Sequence, residues 1–219
     1  MTDVLVVGAG PVGLVAACEL ARRGIAIRVI DKLPEATDES RAIVVHARSL
    51  EMFERVGVVD DIIAAGVKTT AMQMFAGGHR IARVELENVD SAYPYSVTIA
   101  QTETERVLTE RLRALGGSIE RGVELVGLTQ DDASATATLS AADGSREHLE
   151  VPWVVGSDGA RSTVRHLVGT QLEGSFKGER FVLGDVEAQH SLETNSMYTY
   201  FAADGPVMLF PMRGSRMRV

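Results

Sequence analysis

Three glycines near the amino terminus have the spacing that the phosphates of a nucleotide require. Gly8, Gly10 and Gly13 form the pattern G-x-G-x-x-G, and Pro11 lies between the last two. Such glycines permit a tight turn, the close approach of a pyrophosphate to the backbone, and close packing of a helix on the preceding strand. Pro11 fits the first turn of that helix, where its missing N–H is not needed. The pattern predicts a phosphate-binding loop.

An acidic residue follows these glycines at the distance expected of a dinucleotide site. Asp31 comes about 20 residues after the loop, at the end of an apolar segment. An acid in this position accepts hydrogen bonds from a ribose diol, while the helix N-terminus faces the diphosphate. The alternative is a glycine-rich turn without a ligand, which leaves the glycine spacing and the acid unexplained.

The segments around the glycines have the patterns of a β-α-β unit. Val4–Val7 is a short apolar run, as expected of a parallel strand that is buried on both faces. After Pro11, apolar residues recur at helical spacing as far as Gly24, where the helix is expected to end. Residues 25–30 form the second apolar run. The sequence therefore predicts an α/β fold that begins with a Rossmann-like unit.

Asp158 and Gly159 form a second candidate ligand contact. They follow a short apolar strand predicted at Trp153–Gly156, and a helix is predicted after them. Ligand sites collect at the carboxyl ends of parallel strands, so this pair could contact a nucleotide. An Asp-Gly pair also forms ordinary left-handed turns, and the spacing alone leaves both interpretations open.

Together these motifs resemble those of one enzyme family. The glycine loop and the Asp158-Gly159 pair resemble the two glycine motifs of single-component FAD-dependent aromatic hydroxylases, the class that includes para-hydroxybenzoate hydroxylase and the polyketide hydroxylases. Arg41 resembles the arginine that meets the FAD pyrophosphate, and Gln101 resembles the glutamine near the ribityl chain. Alone, they would be interpreted as a solvated loop arginine and a helix cap. The resemblance implies that FAD is bound by Gly8, Gly10, Pro11, Gly13, Asp31, Arg41, Gln101, Asp158 and Gly159.

The resemblance also implies a domain arrangement. Residues 1–70 and 100–176 would form a discontinuous, Rossmann-like FAD-binding domain. Residues 71–99 and 177–219 would form part of a β-rich substrate domain, and the segment 207–211 resembles the sheet of that domain in the polyketide-hydroxylase branch.

The activity implied by the resemblance is that of a flavoprotein monooxygenase. NADPH or NADH would reduce FAD, O₂ would add as a C4a-hydroperoxide, and one oxygen atom would pass to a phenolic or polyketide aromatic substrate. Two alternatives stay open. A related FAD-dependent reductase or halogenase would keep the glycine loop, and so would a non-catalytic dinucleotide-binding module.

One motif of the family is not found in this sequence. The family has a Gly-Asp pair that opens a helix and closes the flavin site, whereas Gly184-Asp185 is followed by a strand-like segment. We therefore expect the chain to be the N-terminal part of a longer enzyme. No catalytic base is assigned.

Composition narrows the possible partners and locations. A net charge of −8 disfavours nucleic acid and anionic membranes, which require a basic surface. The single cysteine, Cys18, cannot form an internal disulfide, and the early apolar run lacks the basic start of a signal peptide. The five histidines have no metal-ligand spacing. We expect a cytoplasmic protein that binds a small aromatic molecule and O₂, without a metal.

Overall fold

A computed structural model shows two compact units. It describes residues 2–38, 40, 42–174 and 181–219. Unit 1 comprises Met1–Glu39 and Glu105–Ser175, and unit 2 comprises Ser40–Thr104 and Phe176–Val219. In chain order the elements are β1 (Val4–Val7), α1 (Pro11–Ala21), β2 (Ile27–Asp31), β3 (Val44–Val45), α2 (Ala47–Val56), α3 (Val59–Ala65), β4 (Val67–Thr69), β5 (Ala71–Ala76), β6 (His79–Glu85), β7 (Ser96–Thr98), α4 (Gln101–Ala114), β8 (Ile119–Arg121), β9 (Val123–Gln130), β10 (Ala135–Ala141), β11 (Arg146–Val151), β12 (Trp153–Gly156), α5 (Thr163–Leu167), β13 (Asp185–Glu187), β14 (Ser196–Ala202), β15 (Gly205–Pro211) and β16 (Arg216–Arg218).

Unit 1 contains a parallel sheet with the strand order β12-β1-β2-β8. All residues of β1 are buried, as expected for an inner strand of a parallel sheet. Helix α1 follows β1 after a short turn and buries Leu14, Ala17 and Cys18. The predicted α/β fold with a Rossmann-like unit is confirmed. The second strand extends to Asp31 instead of ending at Ile30.

An antiparallel meander of β9, β10 and β11 packs on the parallel sheet. Ala137 and Leu139 of β10 share one hydrophobic core with Val7 of β1. The sequence indicates a strand-like segment over residues 118–130, but Gly122 divides it with a φ of +70°. This left-handed turn sends β8 into the parallel sheet and β9 into the meander.

Unit 2 contains two sheets. The larger has the order β13-β16-β15-β14-β5-β6, and the smaller has the order β3-β7-β4. Apolar and polar residues alternate over 69–75 and 81–87 on either side of Gly77 and Gly78, which predicts a hairpin. Strands β5 and β6 form that hairpin, and both glycines have positive φ. Strand β14 pairs in parallel with β5, so the larger sheet joins segments that are far apart in the sequence.

The unit boundary differs from the predicted domain boundary. Residues 40–70 and 100–104 belong to unit 2, although the sequence assigns them to the FAD-binding domain. The physical reason is strand pairing. Strands β3 and β4 lie within residues 40–70, and both pair with β7, which belongs to the segment 71–99 predicted for the substrate domain. The assignment of cofactor and substrate binding to particular segments stays a prediction.

Two properties concern the described residues only. None of their helices is both long and apolar enough to span a bilayer. Within the same ranges, no group of three or more His, Cys, Asp or Glu side chains is arranged to hold a metal ion.

Leu139→Ala is expected to lower the free energy of unfolding by about 2–4 kcal/mol, because it leaves a cavity in the core between the two sheets of unit 1. The control is Thr136→Ala, on the opposite face of the same strand, which is expected to change that free energy by less than about 0.5 kcal/mol. Urea unfolding followed by circular dichroism measures both. Equal losses would contradict this assignment of the core.

Candidate functional site

The turn after β1 requires glycine at its first position. Gly8 has a φ of +101°, and its N–H donates to the carbonyl oxygen of Ile30 at 2.8 Å. A Cβ atom on Gly8 would lie 2.5 Å from the carbonyl oxygen of Ser157. Both the positive φ of Gly8 and the nearby Ser157 backbone therefore exclude a side chain at this position.

The other two glycines of the loop have different surroundings. A Cβ atom on Gly13 would lie 1.9 Å from the carbonyl oxygen of Gly8, so α1 packs directly on the turn. Gly10 has a φ of −75°, and within the described part of the chain, its own neighbours aside, no heavy atom lies within 4 Å of where a Cβ atom on it would be. Pro11 occupies the first turn of α1, as predicted. The loop thus has close internal packing at Gly8 and Gly13 and an open backbone at Gly10.

Asp31 is already engaged with the loop. Its Oδ2 accepts a hydrogen bond from the N–H of Ala9 at 2.7 Å, and its Oδ1 accepts one from the N–H of Leu33 at 2.9 Å. Arg121 Nη1 lies 3.6 Å from Oδ2. Each carboxylate oxygen has a second lone pair, so these contacts are compatible with the predicted bonds to a ribose. Asp31 therefore supports the loop in addition to its predicted ligand role.

Asp158 caps a short helix. Its carboxylate accepts hydrogen bonds from the Ser162 hydroxyl at 2.6 Å and from the N–H groups of Thr163 and Val164 at 2.6 and 3.2 Å. Gly159 has a φ of +80°, so the pair does form a left-handed turn. The predicted FAD contacts of Asp158 and Gly159 stay predictions.

The remaining predicted site residues belong to unit 2. The Gln101 N–H donates to Ser40 Oγ at 2.9 Å, and Gln101 Oε1 accepts from the Ala42 N–H at 3.3 Å. Gln101 is thus both the first residue of α4 and a hydrogen-bonding partner of Ser40 and Ala42. Arg41, the predicted pyrophosphate contact, lies outside the described residues.

Ser157 lies against the glycine loop, although the sequence analysis did not assign it to the site. Its Oγ donates to the carbonyl oxygens of Val7 and Gly8, at 2.9 and 3.2 Å. A Cβ atom on Gly13 would lie 2.6 Å from this Oγ. The sequence contained one indication of this role, because Ser157 is a small polar residue directly after a predicted parallel strand.

The larger sheet of unit 2 has two chemically different faces. One face carries the polar side chains of Gln73, Arg80 and Arg83 beside a cluster of aromatic rings, Phe75, Tyr198 and Tyr200. On the opposite face, strand register and alternation place an uncharged set of side chains together. We call it the methionine face, and it consists of Met72, Met74, Met197, Thr199, Met208 and Phe210.

The edge of the methionine face carries an ion pair. Arg218 pairs with Phe210 across the strands and is 2% exposed. Its Nε and Nη2 donate to the two carboxylate oxygens of Asp185, at 2.6 and 2.9 Å. These hydrogen bonds lower the pKa of Asp185 below its usual range. Asp185 is therefore ionised at neutral pH, and its charge compensates that of Arg218.

A cavity of about 260 Å³ lies at the end of β15 within unit 2. Its wall includes Met212, Thr98 and Ala100, together with the charged side chains of Glu103, Arg213 and Arg216. Apolar groups and side chains of both charges therefore meet at this end of the larger sheet.

The chain is similar to flavin-dependent monooxygenases. A model of the family described as "FAD binding domain" matches residues 1–219. The chain is 38% identical over 211 residues to the 6-methylpretetramide 4-monooxygenase of Streptomyces rimosus, with 95% of this chain and 38% of that protein covered. It is 36% identical over 220 residues to the pentachlorophenol 4-monooxygenase of Sphingobium chlorophenolicum, with 99% and 41% covered.

A solved structure agrees with this similarity. The crystal structure of p-nitrophenol 4-monooxygenase from Pseudomonas putida DLL-E4 matches with a TM-score of 0.90 at 28% identity, covering 100% of this chain and 56% of that one. The chain spans 38% and 41% of the length of the two curated relatives.

Gly13→Ala and Gly10→Ala are expected to differ in their effect on folding. The first places a Cβ atom against the Gly8 carbonyl and should cost about 1–3 kcal/mol of unfolding free energy. The second places it in open space and should cost less than about 1 kcal/mol. Chemical denaturation measures both variants. Equal stability of the two would contradict the packing of α1 on the turn.

Proposed function

Because the chain belongs to the FAD-binding-domain family of flavin-dependent aromatic monooxygenases, we propose that it binds FAD and forms the cofactor-binding and substrate-binding part of such an enzyme. NADPH or NADH is the proposed reductant, O₂ the oxidant, and a phenolic or polyketide aromatic compound the substrate. The observation that carries the proposal is the open backbone at Gly10, flanked by closely packed glycines and next to Asp31.

The residues of the loop fit a diphosphate. The N–H groups in the first turn of α1 have no acceptor within the helix, and a helix N-terminus attracts anions. Among the described residues, apart from the chain neighbours of Gly10, no heavy atom lies within 4 Å of the position that a Cβ atom on Gly10 would take. Gly8, Gly10, Pro11 and Gly13 would therefore cradle the FAD diphosphate, and Asp31 would hold the adenosine ribose.

Four further residues complete the proposed site. Asp158 and Gly159 would contact the cofactor from the turn after β12, whose parallel pairing with β1 brings the two strand ends together. Arg41 would meet the pyrophosphate and Gln101 the ribityl chain, as the family resemblance implies. Bound FAD would supply hydride acceptance and oxygen activation, which protein side chains do not provide. The chain itself contributes affinity, orientation and exclusion of water.

The methionine face favours a flat substrate with more than one ring. Three neighbouring strands make this face about 10 Å wide, which exceeds the width of a single phenol ring. Thioether sulfurs make favourable contacts with aromatic rings, and flexible methionines adapt to their shape. Arg213 and Arg216 line the cavity in the same unit together with Glu103, and their guanidinium groups would hold a phenol or carbonyl oxygen.

Asp31→Ala is expected to weaken FAD binding by about 1–3 kcal/mol, because it removes a charged acceptor of ribose hydrogen bonds and the support of Ala9. The matched control is Asp143→Ala, which removes an acid that also accepts a main-chain N–H but lies in a hairpin turn of unit 1. Flavin fluorescence titration gives both dissociation constants. An unchanged constant for Asp31→Ala would contradict its proposed role.

The same FAD-loaded protein separates the alternative functions. A hydroxylase should oxidise NADPH or NADH faster when a phenol is added and should yield a hydroxylated product. Halide-dependent product would indicate a halogenase, and saturation of a double bond would indicate a reductase. FAD binding without oxidation of NADPH or NADH would favour a non-catalytic module. That result would be required both of this chain and of a chain extended to the length of its relatives.

Met208→Glu is expected to weaken binding of 1,8-dihydroxyanthraquinone by about tenfold or more, because the aromatic rings would desolvate the new carboxylate. Val207→Glu is the control. Val207 precedes Met208 on β15, has a similar exposure of 44% against 41%, and points to the opposite face. Calorimetric titration of the chain with the anthraquinone and with 4-nitrophenol measures its preference for a multi-ring over a single-ring ligand. Equal effects of the two variants, or tighter binding of the single-ring phenol, would contradict a multi-ring substrate.

A further inference from the structure

One peptide group of the glycine loop is held at both ends by side chains. The carbonyl oxygen of Gly8 accepts a hydrogen bond from Ser157 Oγ at 3.2 Å, and the N–H of Ala9 donates to Asp31 Oδ2 at 2.7 Å. Gly8 and Ala9 share this peptide group. The two side chains come from the strand ends on either side of β1, since β12 leads to Ser157 and β2 ends at Asp31.

Ser157 is well suited to fix its end of the peptide. Its own N–H donates to the Val7 carbonyl at 2.8 Å, which anchors its backbone to the end of β1. Its hydroxyl hydrogen is shared between the carbonyls of Val7 and Gly8. Gly13 packs so closely over this hydroxyl that even a methyl group there would displace it. The hydroxyl therefore occupies a restricted position below the loop.

The orientation of this peptide matters for an anionic ligand. A carbonyl oxygen carries a partial negative charge and would repel a diphosphate if it turned towards the open side of the loop. Glycine has few steric barriers to such a rotation, so Gly8 does not prevent it by itself. The Ser157 hydroxyl opposes the rotation by keeping the Gly8 oxygen at the sheet side of the loop.

We propose that Ser157 is a positioning residue of the FAD site: its hydroxyl orients the Gly8–Ala9 peptide, together with Asp31, so that the empty loop already has the shape that binds the diphosphate. This inference rests on the proposed FAD function. A loop that is ordered before binding avoids the entropy cost of ordering it in the complex, which increases affinity. Ser157 acts through the loop and needs no contact with FAD.

The first test examines the protein without flavin. Hydrogen exchange of the Ala9 amide, measured by NMR or mass spectrometry, is expected to be about tenfold faster in Ser157→Ala, because the peptide loses the hydrogen bond to its carbonyl oxygen. Ser157→Thr retains the hydroxyl and should restore protection. Ser134→Ala, which removes another hydrogen-bonded hydroxyl in unit 1, is the control and should leave the Ala9 exchange unchanged. Unchanged exchange in a folded Ser157→Ala variant would overturn the proposal.

The second test is a double-mutant cycle on FAD and ADP affinity. Ser157→Ala is expected to raise the dissociation constant about tenfold in the wild-type background but only about twofold in Asp31→Asn, because both side chains fix the same peptide. If Ser157 had a merely structural role, Ser157→Ala would raise the dissociation constant by the same factor in both backgrounds. That result would overturn the proposal. A wild-type chain that binds neither ligand would reject the proposed function, whereas faster Ala9 exchange in Ser157→Ala would still support the peptide restraint.

Discussion

The packing of α1 on the turn after β1 is the constraint on which unit 1 depends. A Cβ atom on Gly13 would lie 1.9 Å from the Gly8 carbonyl oxygen, so only glycine allows the helix to start so near the strand end. This contact directs the first turn of the helix to the carboxyl edge of the parallel sheet. Asp31 and Ser157 reach the same edge because β2 and β12 run parallel to β1 on either side of it.

The two acids that the motifs single out both support backbone. Asp31 holds the N–H of Ala9, and Asp158 caps α5. Each therefore contributes to the shape of its loop without any ligand, in addition to the role proposed for it in FAD binding. The shape of both loops is therefore largely fixed by the chain itself, because charged acceptors and close glycine packing restrict the backbone.

Strand alternation gives the two faces of the larger sheet in unit 2 different side chains. On one face, Gln73 and Arg83 both donate to Glu193, and Arg83 lowers the pKa of that carboxyl group. On the other face, the six side chains of the methionine face are uncharged, and at its edge Asp185 pairs with both Arg218 and Arg216. Successive residues of a strand point to opposite sides, so one short stretch of sequence supplies both surfaces. Because the chain belongs to the monooxygenase family, an aromatic substrate is the ligand that we propose for the methionine face.

The sequence by itself determined the glycine loop, the β-α-β unit that carries it and the hairpin at Gly77-Gly78, because each depends on residue types at short, fixed spacings. It also indicated the family, because several such motifs occur in the order typical of it. Gly8, Gly13 and Pro11 occupy the positions that this pattern predicts. Only the tertiary structure decided that residues 40–70 belong to unit 2, that Ser157 lies beneath the loop, and that the methionines share one face. Those features arise from pairing between strands far apart in the chain, and local spacing contains no information about which distant strands become neighbours or in which register they pair.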